Sequence, residues 1–242
     1  MGKGWQWALA VALCVAARAG SLGACDDTAA TAATVNGEPV CVRELQRSAD
    51  ANRAAVYQYF HRTYGATDDD AFWRRRYGSE RPRDVLLQRA LAQCVSTKLQ
   101  QVIAREAGIW PDITYRAFIG NLARENARRK ALVGAGGVIY GPVEYGEDDY
   151  FAQTLRIAVI AVQQKLSERE LAIPPADLKQ FYEHDKDELF RQPSGSYERF
   201  DEVKDLIRGR MVEEKYDRMV ENLVKCATVQ VNRRTCRRIR VR

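Results

Sequence analysis

The sequence has little histidine, two residues in 242, and no C-x-x-C pair. That leaves no ligand set for an ordinary zinc site, which draws on closely spaced cysteine and histidine. It also lacks a P-loop, a G-x-G-x-x-G after a strand, an H-E-x-x-H and a G-x-S-x-G elbow. Nucleotide-driven, zinc-protease and α/β-hydrolase chemistry therefore have no carrier, and no cofactor or metal is implied. No internal repeat is visible. No apolar run reaches the roughly 20 residues that a membrane-crossing helix needs.

The longest apolar run, Trp5 to Ala17, instead has the length of a signal-peptide core, with Lys3 ahead of it. Two cleavage readings stay open. Ala17-Arg18-Ala19 is an A-x-A site. Leu22-Gly23-Ala24-Cys25 has the form of a bacterial lipobox, in which Cys25 would carry the lipid and anchor the chain to the membrane. The expected organisation is a signal over 1–24, a tether over 25–33, a helical domain over 34–232 and an Arg-rich tail over 233–242. Export places the protein outside the cytoplasm, secreted or held on the outer face of a bacterial plasma membrane.

Without the signal, about 215 residues remain, enough for one sizeable core or two small ones. Apolar residues make up 46%, so the chain is globular rather than disordered. The formal charge is +6. Removal through Ala24 takes Lys3 and Arg18 and no acid, leaving +4. So mild a charge does not call for nucleic acid, and the six arginines of the tail read as a solvated segment. Beyond the signal stand Cys41, Cys94, Cys226 and Cys236. Export permits disulfides, and Cys41 with Cys226 is the candidate pair. The alternative is free cysteines that fill small core sites.

Periodicity predicts a mostly α protein. Helices are expected over about Val42–Tyr64, Asp84–Ala107, Pro111–Leu132, Glu147–Leu166, Pro175–Leu189 and Phe200–Ala227, with a short one around Phe72 and Trp73. Thr34–Val40, carrying the turn signal Asn36-Gly37, and Thr228–Asn232 read as short strands. A single strand leaves its backbone groups unmet, so the two strands are expected to pair and bring the chain ends together.

No residue reads as catalytic. His61 beside Arg62 is a packing histidine. The neighbours of His184 in Glu183-His184-Asp185 point to other faces of a helix. Asp68-Asp69-Asp70 and Glu147-Asp148-Asp149 suit helix starts and lack the spacing of a calcium loop. Aromatics are the informative class. Tyr57, Tyr59, Phe60, Tyr64, Phe72, Trp73 and Tyr77 form one group. Tyr140, Tyr145, Tyr150 and Phe151 form another, after the break Gly134-Ala135-Gly136-Gly137. A cleft edge can form at such a break, which makes the second group the candidate contact for apolar polypeptide. The alternative for each ring is the core or an ordinary exposed tyrosine.

The order of elements adds a further clue. Thr34-Val35-Asn36-Gly37-Glu38-Pro39-Val40 leads into a helix. Ile173-Pro174-Pro175-Ala176-Asp177-Leu178-Lys179-Gln180-Phe181-Tyr182-Glu183-His184 is followed by Phe200-Asp201-Glu202-Val203-Lys204-Asp205-Leu206-Ile207, a long helix and Val229-Gln230-Val231-Asn232. From Val35 to Asn232 this resembles the SurA/PrsA family of extracytoplasmic foldases. In that family a Val-Asn-Gly-Glu strand opens a helical chaperone domain that a long helix and a strand close. The inserted parvulin isomerase domain, which needs roughly 90 residues, is missing: only a short linker joins Phe190 to Phe200. The resemblance thus implies the chaperone part alone, a non-enzymatic holdase for unfolded or nascent exported polypeptides. One alternative is an accessory protein that uses the same fold for a single dedicated partner. The other is residual prolyl isomerase activity.

Overall fold

The structure, a computed structural model, describes residues 30–241. The signal segment, most of the tether, and Cys25 as a lipidation site lie outside the described residues.

The chain begins with β1 (Thr31–Val35), turns at Asn36-Gly37 and returns as β2 (Glu38–Cys41). Asn36 has φ 50° and Gly37 φ 87°. Two successive positive φ angles give the primed turn whose twist matches a hairpin, and Asn-Gly is the dipeptide that tolerates them. β3 (Val229–Val231) pairs antiparallel with the other side of β1, giving the order β2-β1-β3. The expected pairing of the chain ends is present. Pro39 sits on the edge strand, where its missing N–H costs nothing.

Helices build the rest: α1 (Val42–Tyr64), α2 (Pro82–Glu106), α3 (Tyr115–Gly134), α4 (Glu147–Leu166), α5 (Pro175–Leu189), α6 (Phe200–Cys226) and α7 (Arg233–Cys236). Their ends follow local chemistry. The Glu44 carboxylate accepts the Cys41 N–H at the start of α1 (2.7 Å), and Gly65 closes that helix in the left-handed region. Pro82 and Pro175 occupy first-turn positions. Thr114 caps α3, its side-chain oxygen accepting from the Ala117 N–H at 3.2 Å. Glu147, Asp148 and Asp149 face the positive end of the α4 dipole. The segment around Phe72 and Trp73 is a series of turns rather than the expected short helix. Asp69 accepts the Ala71 N–H, and the Phe72 N–H goes to the Asp69 carbonyl.

Three apolar clusters lie along the body. The first joins the sheet, α1 and the first half of α2 around Leu45, Phe60, Phe72 and Leu86. The second joins the end of α2 with α4 and α6 around Ala104, Trp110, Val162 and Tyr216. The third joins α5 to the start of α6 around Leu178, Phe190 and Ile207. The long helices α2 and α6 each contribute to more than one cluster, which makes the clusters continuous.

Two expectations change. The Arg-rich end, through Val241, is part of the fold: Ile239 is buried in the first cluster, and Gln46 exchanges hydrogen bonds with the Arg240 backbone. The Cys41–Cys226 pair is not formed; Cys41, Cys94, Cys226 and Cys236 are all free. Register is the reason. Cys41 stands opposite Thr31, while Val229, just past Cys226, stands opposite Val35. The two ends of β1 are about 13 Å apart and the outer strands about 10 Å apart. A disulfide needs Cα atoms within about 7 Å.

Candidate functional site

α3 buries little of its length. Only Phe118 and Arg129 are fully buried in it. None of its residues belongs to the three clusters, and residues 135–146 return along it instead of leading straight into α4. Gly137 permits the reversal: a Cβ there would lie 2.5 Å from the Leu132 side chain and 3.0 Å from its carbonyl oxygen.

The returning loop is fixed by side chains of α3. Arg129 donates from Nε to the Pro142 carbonyl (2.7 Å) and from Nη2 to the Tyr140 carbonyl. It pairs with Glu125 at 3.4 Å, and its guanidinium lies 4.7 Å from the Tyr145 ring centre. Asn126 binds the Tyr145 backbone twice, donating to the carbonyl (3.0 Å) and accepting from the N–H (2.8 Å). Lys130 and Glu144 close the outer side at 2.8 Å. Arg129 belongs to the basic group of α3 with Arg124, Arg128 and Lys130. The structure buries it to 6% exposure, because the loop brings carbonyls that need its donors.

What the loop presents is apolar. Val138 is 85% and Tyr140 92% exposed, with Val143, Leu132 and Val133 partly exposed nearby. A buried polar scaffold thus holds out an apolar tip, the reverse of the usual arrangement. Together, residues 115–146 carry Arg116, Arg124, Arg128, Arg129 and Lys130 against Glu125 and Glu144, a net +3.

The four aromatics singled out from the sequence divide here. Tyr140 is at the tip. Tyr145, Tyr150 and Phe151 are half-buried at the root of the arm, in one chain of ring contacts: Tyr145–Tyr150 (5.9 Å), Tyr150–Phe118 (5.6 Å) and Phe118–Phe151 (5.5 Å). Arg47 of α1 reaches this root. Its guanidinium stands 4.1 Å from the Phe151 ring centre, and it pairs with Glu147 and with Asp148 (3.0 Å). Arg43 adds a bond to Glu147 at 3.0 Å. The Tyr115 hydroxyl also meets Glu147 (3.3 Å). Burial, then the Glu147 charge, pushes the Tyr115 phenol up to about 12. The root is therefore anchored and the tip is free. Sequence reasoning missed Asn126, Val138 and Val143; the one available signal was the crowding of small and β-branched residues after Gly134.

His61 is hydrogen-bonded through Nδ1 to the Ala66 carbonyl (2.9 Å) and stacks on Tyr57, while His184 is exposed. Among the described residues no group of three or more His, Cys, Asp or Glu is placed to hold a metal ion, and no helix is long and apolar enough to cross a membrane.

No protein-family model matches the chain, and no solved structure matches it. In sequence it is 24% identical over 199 residues to the protein named chaperone for lacto-N-biosidase from Bifidobacterium longum subsp. longum; the match covers 81% of this chain and 69% of that protein. The likeness is thus to a chaperone-type protein. It does not point to SurA/PrsA foldases specifically.

Proposed function

We propose that the protein is an extracytoplasmic chaperone that engages a folding client through the α3 arm. The observation that carries this reading is the exposed Val138–Tyr140 tip held by the buried Arg129. A preformed apolar contact loses little conformational entropy on binding, so a small area can support useful affinity. The net +3 of the arm favours clients with acidic flanks. The bacterial relative is named for one client, and the compact tip suits one defined client surface better than a broad holdase cleft. We therefore take a dedicated, co-exported enzyme as the client class, and the generalist holdase as the competing outcome. No inserted isomerase domain stands between Phe190 and Phe200: these residues form a tight turn, with Gln192 N–H bound to the Ser196 carbonyl (2.8 Å).

The test is co-production of the full chain with exported glycosidases, reading active enzyme yield, beside aggregation assays on unrelated unfolded proteins. A yield gain with one glycosidase that disappears in Val138→Ser/Tyr140→Ser supports the dedicated reading. Equal protection of every unfolded protein supports the generalist. No effect in either assay would remove the chaperone reading.

A further inference from the structure

Behind the root of the arm, α1, α2 and α4 enclose a cavity of about 270 Å³. Its rim is exposed at Ala51, Gln93, Asp148 and Ala152. Its floor is buried and polar. Lys98 (3% exposed) pairs with Glu44 at 2.9 Å. Glu44 also receives the Cys41 N–H, and Cys94 donates to the Ser48 hydroxyl at 3.2 Å. Gln101, 2% exposed, has a side-chain oxygen with no hydrogen-bond partner. One wall, Phe151 and Leu155 of α4, is apolar.

These features specify an occupant. The volume lies below the roughly 300–1,000 Å³ of small-molecule sites and suits a single large side chain. The apolar wall accepts a hydrophobic body. A buried acceptor without a partner is costly, so a group that brings an N–H or O–H to the floor is favoured over one that does not. The Lys98 ammonium at the floor favours an aromatic face over an aliphatic one. We propose that this cavity is a side-chain pocket for one donor-bearing aromatic residue, tryptophan or tyrosine, of a client polypeptide. The client assignment rests on the chaperone reading above; the pocket itself does not.

The test titrates the full chain with the N-acetyl amides of tryptophan, tyrosine, phenylalanine and leucine, followed by amide NMR shifts. Tryptophan and tyrosine amides should saturate, with shifts at Thr97, Gln101 and Ala152. The phenylalanine amide should bind about fivefold more weakly, the equivalent of one hydrogen bond, and the leucine amide should not saturate. Gln101→Leu should erase the preference for tryptophan over phenylalanine. Ala152→Trp, a change at the exposed rim, should block binding without altering the melting temperature. Equal binding of leucine and tryptophan amides, or no saturable shift around the cavity, overturns the pocket. Client protection without amide binding overturns the pocket alone. Amide binding without protection of any client overturns the client assignment and leaves the pocket.

Discussion

The chain has two aromatic groups of similar composition, and they have opposite fates. In the first, Phe60 and Phe72 are fully buried, ringed by Tyr57, Tyr59, Tyr64, Trp73 and Tyr77 at 5–6 Å separations. In the second, the root rings Tyr145, Tyr150 and Phe151 are half-buried, with guanidinium groups over Tyr145 and Phe151, and Tyr140 points into solvent. The difference lies in what surrounds them. The first group falls where α1, α2 and the turns between them converge, so Phe60 and Phe72 are enclosed by rings, while Tyr57, Tyr59, Trp73 and Tyr77 stay half-buried and Tyr64 lies at the exposed edge. The second is split between the loop that returns along α3, which holds Tyr140 and Tyr145, and the first turns of α4, which hold Tyr150 and Phe151. Aromatic density therefore marks a site only where the tertiary structure leaves one side uncovered.

The comparison makes predictions of decreasing size. Phe60→Ala should remove about 3–5 kcal/mol of global stability, a large buried ring lost from the interior; chemical denaturation measures it. A loss below about 1 kcal/mol would mean that the first group is as loose as the second. Arg129→Ala should cost about 2–3 kcal/mol, the scale of hydrogen bonds from a charged donor. The loss should stay local, as faster hydrogen exchange in residues 135–146 with the exchange of α1 and α2 unchanged. A fall in protection throughout would tie the arm to the core.

The two regions should also part at alkaline pH. Burial is the main cause that pushes the Cys94 thiol from 9.0 up to about 11, and burial with the Glu44 charge pushes Cys41 to about 12. Both values are raised in the folded state, so the associated stability is intact below pH 9 and is lost as pH rises from 9 to about 11 and 12, the range in which the unfolded chain has lost these protons and the folded chain still holds them. Melting temperature should drop across that window and drop less in Cys41→Ala/Cys94→Ala. The arm, residues 115–146, has no cysteine and should keep its hydrogen-exchange pattern until the body unfolds. In alkylation at pH 8 the exposed Cys226 should react well before either buried thiol. Smallest of all in stability, Tyr140→Ser should shift unfolding by no more than about 0.5 kcal/mol while abolishing client protection. A stability loss like that of Phe60→Ala would place Tyr140 among the core rings.

Much of the fold was legible. The stripes Leu45-Ala49-Val56-Phe60 and Phe151-Leu155-Val162 set helices at close to their observed bounds, since apolar spacing is a local property that burial then uses. Asn36-Gly37 marks a hairpin turn, although the sequence read as one extended segment there and the structure makes two strands of it. Less of the site was legible. Glycines after α3 announced a break near Tyr140, but the burial of Arg129 depends on carbonyls eleven and thirteen residues away. The Gln101 cavity needs three helices to converge, and no local pattern encodes that.

The sequence by itself determined a mostly α chain, the places of its long helices, the pairing of its end strands and the lack of any motif for metal or nucleotide chemistry. These follow from periodicity, capping and turn chemistry, which act over a few residues. Only the tertiary structure decided which aromatics are core and which are tip, that Cys41 and Cys226 stand too far apart to bridge, and that Arg129 is an internal staple. Those outcomes depend on register and on contacts across the chain, where a side chain's surroundings are set by distant segments rather than by its neighbours.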